Sequence, residues 1–334
     1  MLRAAFLARS SLERKIMRDK NKNVRPTNWN DIEDFEKGIW DTLIGNFWIP
    51  ERIEMSADLP SWRRLSKDEQ TLVLRVFAGL TLLDTIQGTV GAVKLLGDSK
   101  NPFEEAIFTN IIQMETIHAK SYSNIFSTLS NTEDIDEAFE WSEENEFLQY
   151  KARKIVEIYD GDDEAKRKIA STFLESGLFF SGFGLPFYMA GRGKLTNTAD
   201  MIRLILRDEN IHGYATGAWF QRNVREYYPE RAEELQDYAI DLALDLYSNE
   251  EKYTRSLYDA AGLTNTILPF VKYNFNKAMQ NLGYEGIFPT TLQDIDPVLA
   301  SSLSTASENG DFFSGATTYS MGKSEDTTDS DWAF

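Results

Sequence analysis

The sequence predicts an all-α fold, a helical bundle whose core helices are roughly 30 residues long. Long stretches carry apolar residues at the three- and four-residue spacing of an amphipathic helix, and the most apolar of them covers 71–96. A start signal opens this stretch, because Ser66 is followed three residues later by Glu69, as in a capping box. No stretch shows the convincing two-residue alternation that indicates a strand.

Proline, glycine and capping residues predict where the helices begin and end. Pro50 ends the first, because proline lacks the amide hydrogen that a helix interior needs. Asn101 and Pro102 begin another, with proline at the first helical position, and the glycines in 191–193 end a later one. The predicted helices cover 31–48, 66–96, 101–129, 143–159, 162–189, 198–227, 229–261 and 266–282, with a short helix or turn at 131–142.

Composition limits the possible functions. The 334 residues suffice for one large domain or two small ones, and the formal net charge is −18. This charge argues against nucleic acid or an anionic membrane as the main partner. The absence of cysteine excludes disulfides, iron–sulfur clusters and thiol catalysis on this chain. No apolar run is expected to reach the length of a membrane span, and we expect a cytoplasmic protein.

The two ends of the chain differ from its middle. Residues 1–27 begin Arg-rich, with an apolar stretch too short for a secretory signal. We predict a disordered extension or translation initiation at Met17, with a targeting segment as the alternative. From 289 the composition shifts to Ser, Thr, Gly and Asp, which predicts a flexible C-terminal tail over 289–334, mobile from 301 onward. The helical domain is therefore predicted over 28–288.

The two histidines of the chain share an unusual context. Each lies three residues after a glutamate, as Glu115 with His118 and Glu209 with His212. Residues three apart on a helix share a face, so a carboxylate and an imidazole can reach one metal ion together. A lone acid on the preceding apolar helix comes before each pair, with similar spacing, and these two acids are Asp84 and Glu175.

This repeated layout predicts a four-helix bundle that holds two metal ions. One acid from each of two helices and one Glu-x-x-His from each of the other two form the dimetal site of ferritin-like bundles. Four carboxylates would neutralise two divalent cations, and oxygen-rich ligation with some imidazole suits iron or manganese better than zinc or copper. Taken singly, a Glu-x-x-His can be a surface pair, and Asp84 could pair with Arg75.

Tyr122 lies four residues after His118 and therefore on the same helix face. A buried tyrosine often only packs and donates one hydrogen bond. Here the adjacent ligand helices predict an apolar lining of Phe179, Phe183 and Ile205. An apolar cage around a phenol beside an oxidising metal pair is what a stable tyrosyl radical requires.

Four motifs resemble those of one known family, and they are METIHAKSYS at 114–123, FFSGF at 179–183, GKLTNTAD at 193–200 and RDE at 207–209. With them the chain is similar, from about residue 28 to its C-terminus, to the radical-generating small subunit of class Ib ribonucleotide reductase, a ferritin-like protein. All six predicted metal ligands keep the residue types expected in that family. Gly184, however, stands where we expect a larger residue, which could alter access near Phe183.

The resemblance implies a function and a set of roles. Two manganese or two iron ions would oxidise Tyr122 to a radical, which passes through His118, Asp208 and Trp48, and then Tyr319, to a cysteine of the large catalytic subunit that reduces ribonucleoside diphosphates. The dimanganese form would also need a flavodoxin-like activating protein, and a homodimer is implied. The acidic, aromatic C-terminus would dock the large subunit through Asp331, Trp332 and Phe334.

Two other functions are compatible with a dimetal bundle. Another carboxylate-bridged oxidase or oxygenase would need an open substrate pocket, and it would leave Trp48, Tyr319 and the aromatic terminus without a role. A metal-storage bundle has little use for a caged tyrosine or a docking tail.

Overall fold

The structure is a computed structural model that describes the backbone of residues 26–308 and the side chains up to residue 303. Within that range every regular element is helical, which confirms the predicted all-α class. The predicted N-terminal extension up to residue 25 lies outside the described residues. The C-terminal residues with predicted roles, Tyr319, Asp331, Trp332 and Phe334, also lie outside them.

Twelve helices of six or more residues form the described part of the chain. They are α1 Asp34–Gly45, α2 Lys67–Ile86, α3 Ala92–Gly97, α4 Pro102–Leu129, α5 Thr132–Glu144, α6 Glu146–Asp160, α7 Glu164–Phe173, α8 Phe180–Ala190, α9 Thr196–Tyr227, α10 Ala232–Tyr258, α11 Thr264–Asn281 and α12 Pro297–Glu308. Two π-helical segments, Gln87–Gly91 and Leu174–Leu178, join α2 to α3 and α7 to α8. Shorter helical turns lie at Trp29–Asp31, Pro50–Arg52, Met55–Asp58, Leu59–Trp62, Pro229–Arg231 and Leu292–Asp294.

Local capping explains where the core helices begin. The Ser66 hydroxyl accepts from the Glu69 amide, and the Glu69 carboxylate accepts from the Ser66 amide, so the predicted capping box opens α2. The Asn101 side chain accepts from the first amides of α4, ahead of Pro102. By contrast, the start of α9 is capped from a distance, because the Asp58 carboxylate accepts from the Thr198 amide at 2.7 Å.

The bundle packs in two related halves. Helix α2 packs against α4, and α9 packs against α7 and α8, while α4 and α9 contact each other between them. One continuous core fills the space among these helices, and a smaller cluster under α1 includes Ile39, Phe108 and Trp219. The four helical stretches that surround the bundle centre therefore bring the predicted ligand positions face to face.

One apolar helix needs separate comment. We predicted from the sequence that no apolar run would reach the length of a membrane span. The helical stretch Lys67–Gly97 is nevertheless long and apolar enough to cross a membrane, by length and composition alone. Of its most apolar 18-residue window, 61% is buried inside the bundle. Its apolar character is that of a central core helix, which must be hydrophobic on nearly all sides.

The predicted tail begins later than residue 289. Helix α12 covers Pro297–Glu308 and packs against α8 and α9. Ile295, Leu299 and Ser302 are buried in this contact, and a Cβ atom at Gly191 would lie 2.4 Å from Val298 Cγ1. The shift to Ser and Thr near residue 300 therefore marks a helix with one small packed face, and residues 297–303 belong to the folded domain.

Candidate metal centre

The six predicted ligands converge at the centre of the bundle. Helix α2 supplies one, the π-helical segment Leu174–Leu178 supplies one, and α4 and α9 supply two each. Their side chains are at most 1% exposed. The six are Asp84, Glu115, His118, Glu175, Glu209 and His212.

The ligands form two overlapping groups. Asp84 and His118 form one end, here called the His118 half, and Glu175 and His212 form the other, the His212 half. Glu115 and Glu209 belong to both, and the ligand atoms within each group lie within 4.8 Å of one another. Two shared carboxylates between two single-carboxylate ends are the arrangement that bridges a pair of cations.

Both imidazoles direct Nδ1 into this space. His118 Nδ1 lies 2.9 Å from Glu209 Oε1 and 3.5 Å from Asp84 Oδ1. His212 Nδ1 lies 2.9 Å from Glu209 Oε2 and 3.0 Å from Glu115 Oε1. The two rings are nearly parallel, with centroids 6.0 Å apart. The histidines therefore flank the shared carboxylates from opposite ends.

The π-helical segments place the single acids and clear space for α4. Segments of this kind are rare and occur often at functional sites. One contains Glu175, and the other begins three residues after Asp84. A Cβ atom at Gly88, within the second segment, would lie 2.9 Å from Glu115 Cβ. Glycine at that position lets the shared glutamate approach the α2 side of the site.

Without cations this cluster is electrostatically costly. Burial raises the pKa of Asp84 well above its usual range, and the charges of Glu115 and Glu209 raise it further. Burial and the same two neighbours also raise the pKa of Glu175. Burial is the largest single influence on His118 and lowers its pKa, but the charge of Glu209 and the contacts with Asp208 and Asp84 together raise the pKa by more.

The pKa values of His212 and Glu209 also result from burial opposed by neighbouring charges. Burial lowers the pKa of His212, but its contacts with Glu115 and Glu175 raise it to a larger extent. Burial is the largest single influence on Glu209 and raises its pKa, but the charges and hydrogen bonds of His118 and His212 together lower it by more, so the net direction is down. Without cations, the raised pKa values of Asp84, Glu175 and the two histidines favour proton binding in the place where cations would neutralise the carboxylates.

The residues present fit a dinuclear metal centre. Buried polar atoms without a hydrogen-bond partner are rare, because each costs about 1–3 kcal/mol. Several such atoms lie together among the six ligands, where four carboxylates would offset two divalent cations. Among the described residues, such atoms include both carboxylate oxygens of Asp84 and of Glu115, Glu175 Oε2, Glu209 Oε1 and His118 Nδ1.

Trp48 and Asp208 extend the site outward from the His118 half. Asp208 Oδ2 accepts from Trp48 Nε1 at 2.7 Å and lies 3.2 Å from His118 Nε2. The indole also stacks beside the imidazole, with centroids 6.1 Å apart. Arg207 anchors the loop before Trp48 by donating to the Asn46 carbonyl oxygen at 2.6 Å. The three side chains that the motifs connected are therefore in contact.

Tyr122 is fully buried near the His118 half. Burial raises the pKa of Tyr122, and the neighbouring charge of Asp84 raises it further. Its hydroxyl lies beside Asp84 but has no hydrogen bond of normal geometry among the described residues. The ring of Phe77 stacks on it, with 5.9 Å between centroids. The predicted lining residues are buried in the same core, and they are Phe179, Phe183 and Ile205.

Two residues near the ligands were not predicted from the sequence. Phe77 lies seven residues before Asp84 and so on the same face of α2, a signal that was available. Gln87 lies three residues after Asp84, the spacing that was decisive for the histidines, and it donates to Glu175. The structure also explains why a glycine stands at position 184, because a Cβ atom there would lie 2.6 Å from Ile267 Cδ1.

The fold and the site together define a helical dimetal carboxylate protein. Residues 26–297 match the family model described as ribonucleotide reductase, small chain. The chain is 55% identical over 314 residues to the ribonucleoside-diphosphate reductase subunit beta of Mycobacterium leprae, covering 93% of this chain and 97% of that protein. It is 50% identical over 318 residues to ribonucleoside-diphosphate reductase 2 subunit beta of Escherichia coli, covering 94% of this chain and all of that protein.

A solved structure agrees with these relatives. The crystal structure of Streptococcus sanguinis dimanganese(II)-NrdF superposes with a TM-score of 0.82 at 46% identity, covering 84% of this chain and all of the other. The chain belongs to the ribonucleotide reductase small-chain family. The resemblance drawn from the motifs is confirmed: the protein is the small subunit of a ribonucleoside-diphosphate reductase and has a dinuclear metal centre.

Proposed function

We propose that Tyr122 is the residue that carries the radical in this subunit. Asp84, Glu115, His118, Glu175, Glu209 and His212 would hold two manganese or two iron ions. When bound, this metal pair supplies the oxidising power that removes an electron from the phenol. The observation that carries the proposal is the placement of Tyr122, fully buried beside Asp84 with its hydroxyl unpartnered among the described residues.

The surroundings of Tyr122 support a long-lived radical. Oxidation of a phenol releases its proton, so a proton acceptor must be close, and Asp84 is the carboxylate beside the hydroxyl. Phe77 stacks on the ring, and the core around it is hydrocarbon. Water and small reductants are kept away by this packing, which prevents side reactions.

The contacts of His118, Asp208 and Trp48 support a route for the radical equivalent. Asp208 Oδ2 accepts from Trp48 Nε1 and lies within hydrogen-bond distance of His118 Nε2. Oxidation of the indole makes its N–H acidic, and this carboxylate can hold the proton while the electron moves toward the site. We propose that the route continues through Tyr319 to the large catalytic subunit, which Asp331, Trp332 and Phe334 dock.

The remaining roles follow from the same assignment. The subunit would act as a homodimer with the large subunit in the cytoplasm, in reduction of ribonucleotides to deoxyribonucleotides. The dimanganese(II) form of the S. sanguinis relative supports manganese and, with it, a flavodoxin-like activator. The contact of Trp48 with Asp208 has no role in an oxygenase or a storage protein.

An oxygenase would also need an open substrate pocket at its metal site. A described cavity of about 690 Å³, lined in part by Thr71, Leu185 and Leu257, includes none of the six ligands.

Tyr122→Phe tests the radical assignment. We expect the variant to bind both metal ions and to lose the tyrosyl signal in electron paramagnetic resonance after activation. Turnover with the large subunit should be lost with it. The matched control is Tyr258→Phe, since Tyr258 is equally buried but donates to the Ser181 carbonyl oxygen. A radical signal of normal intensity in Tyr122→Phe would place the radical on another residue.

A further inference from the structure

Gln87 lies in the first π-helical segment, buried between the metal ligands and a second buried tyrosine, Tyr159. We propose that Gln87 and Tyr159 form a positioning pair for Glu175 and thereby set the metal affinity of the His212 half. The inference concerns metal binding alone and does not depend on the radical role proposed for Tyr122.

The three side chains form a continuous hydrogen-bonded chain. Tyr159 OH donates to Gln87 Oε1 at 2.6 Å. Gln87 Nε2 donates to Glu175 Oε1 at 2.5 Å and to Ser171 Oγ at 3.1 Å. All four side chains are buried, so none of these bonds competes with bulk water, and each lost bond would leave a buried polar atom unpaired.

The tyrosine fixes which way the amide points. An amide can present either its oxygen or its NH₂ group to a neighbour, and only the NH₂ group can stabilise the Glu175 carboxylate. Tyr159 donates its hydroxyl hydrogen to the amide oxygen and so occupies the opposite side. A rotated amide would place its oxygen against the carboxylate and lose that bond, and the Tyr159 hydroxyl would have to turn from donor to acceptor.

This hydrogen-bonded chain of side chains leaves one carboxylate oxygen of Glu175 available for an ion. Oε1 accepts from Gln87, whereas Oε2 has no partner among the described residues and lies 3.9 Å from His212 Nδ1. Asp84, the corresponding single acid of the His118 half, has both oxygens unpartnered in that range. The two halves therefore differ, because Glu175 accepts a hydrogen bond from a neutral amide and Asp84 accepts none of normal geometry among the described residues.

The backbone of the π-helical segment makes room for this contact. A Cβ atom at Gly91 would lie 2.2 Å from Gln87 Oε1 and 2.5 Å from the Tyr159 ring. Any side chain at position 91 would push the amide and the ring apart. The segment Gln87–Gly91 thus supplies both the donor and the space that lets the tyrosine reach it.

Two variants test the pair: Gln87→Leu removes the donor, and Tyr159→Phe removes only the hydroxyl that orients it. Bound Mn²⁺ is counted by equilibrium dialysis, with the free ion measured by electron paramagnetic resonance. Because loss of a partner that orients a metal ligand typically weakens affinity 10- to 100-fold, we expect roughly that loss for one of two ions in Gln87→Leu. Tyr159→Phe should weaken the same ion by a smaller factor and reduce the spin-coupled signal of the ion pair.

The control separates positioning from general stability. Tyr258→Phe removes a buried hydroxyl that bonds only to main chain, and it should bind two ions as the unaltered protein does. Melting of the metal-free proteins reports any loss of packing. Unchanged affinity for both ions in Gln87→Leu overturns the proposal, as does an equal loss in Tyr159→Phe and Tyr258→Phe. If Gln87→Leu shows no cooperative unfolding, Tyr159→Phe decides the question, because it removes a single oxygen atom.

Discussion

At the scale of single residues, the chemistry of the site rests on the two shared glutamates. Glu115 and Glu209 each approach both histidines, whereas Asp84 and Glu175 each serve one half. In the metal-free protein the shared carboxylates add to the repulsion that raises the pKa of both single acids. The same groups that bind two cations therefore destabilise the fold when those cations are absent.

Glu115→Gln should have opposite effects with and without metal. Removing one buried charge relieves repulsion, so we expect the metal-free protein to gain about 1–3 kcal/mol, a rise of a few degrees in melting temperature. The stabilisation by added Mn²⁺ should shrink, because a ligand common to both ions is lost. Calorimetry with and without Mn²⁺ measures both effects. Glu133→Gln, at an exposed position, should change neither, and a full metal-induced shift in Glu115→Gln would contradict the shared role.

Trp48→Phe removes one hydrogen bond and replaces the indole with a smaller aromatic ring. The lost contact is the bond from the indole to Asp208. We expect turnover with the large subunit to fall by roughly 100-fold or more, because the proton and the electron no longer leave together. Metal content and the tyrosyl signal should persist. Trp141→Phe is the control, since that ring lies against Arg75 away from the ligands. Normal turnover in Trp48→Phe would remove it from the route.

The ligands could be predicted from the sequence because histidine is scarce in this chain. With only two histidines, each with a glutamate on the same helix face, few alternative sets of metal ligands exist. A lone acid on an apolar helix is costly unless it is paired or binds a cation, so Asp84 and Glu175 could be singled out as well. Gln87 was not predicted, because glutamine is uncharged and gives no such signal. The hydrogen bond of Tyr159 to Gln87 joins residues far apart in the chain, so no local pattern indicates it.

At the scale of helices, local sequence signals predicted where the helices begin better than they predicted the backbone conformation inside them. Ser66 and Asn101 cap α2 and α4 as predicted, because their partners lie within three residues. The two π-helical segments were not predicted, since apolar spacing is similar in α- and π-helical turns over five residues. Asp58 caps α9 from a separate turn of the chain, so only the folded structure reveals that contact. The predicted helix over 162–189 is accordingly α7, a π-helical segment and α8.

Gly91→Ala tests whether the first π-helical segment is needed in its observed form. The added methyl group would overlap Gln87 and the Tyr159 ring. We expect a loss of about 1–3 kcal/mol of unfolding free energy, as for other overpacked cores, measured by thermal or denaturant unfolding of the metal-free protein. Gly38→Ala is the matched control, because an added Cβ there meets no described atom within 4 Å.

The control should respond in the opposite direction. Alanine is favoured over glycine inside a helix by up to about 1 kcal/mol, so Gly38→Ala should leave α1 equally or more stable. A Gly91→Ala protein as stable as the unaltered one would mean that Gln87 and Tyr159 move apart without cost. That result would also weaken the positioning role proposed for them.

At the scale of the whole molecule, we propose separate tasks for the bundle and the tail. The described helices bury the metal ligands, Tyr122 and the contact of Trp48 with Asp208 in one core. The residues proposed to reach the large subunit lie beyond α12. Within the described residues, the chain still packs on the bundle at Leu299 and Ser302. A composition change indicates such a boundary only loosely, because a small packed face needs few apolar residues.

Deleting residues 329–334 should separate radical formation from turnover. We expect normal metal content and a normal tyrosyl signal, because the bundle is intact. Activity with the large subunit should be lost, since buried aromatic anchors contribute 2 kcal/mol or more, roughly 30-fold in affinity. Trp332→Ala in the full chain should weaken the complex by a similar factor, with Ser330→Ala as the control. Unaffected turnover of the truncated subunit would refute the docking role.

The depth of the six ligands has a further consequence for how the protein acquires its ions. With no more than 1% of each side chain exposed, an ion can enter or leave only when neighbouring helices briefly separate. Loading and exchange should therefore be slow compared with diffusion, and an ion once admitted is retained far longer than its affinity alone would suggest. Which element fills the protein is then decided by supply at the time of loading, and a wrongly filled molecule corrects itself only slowly.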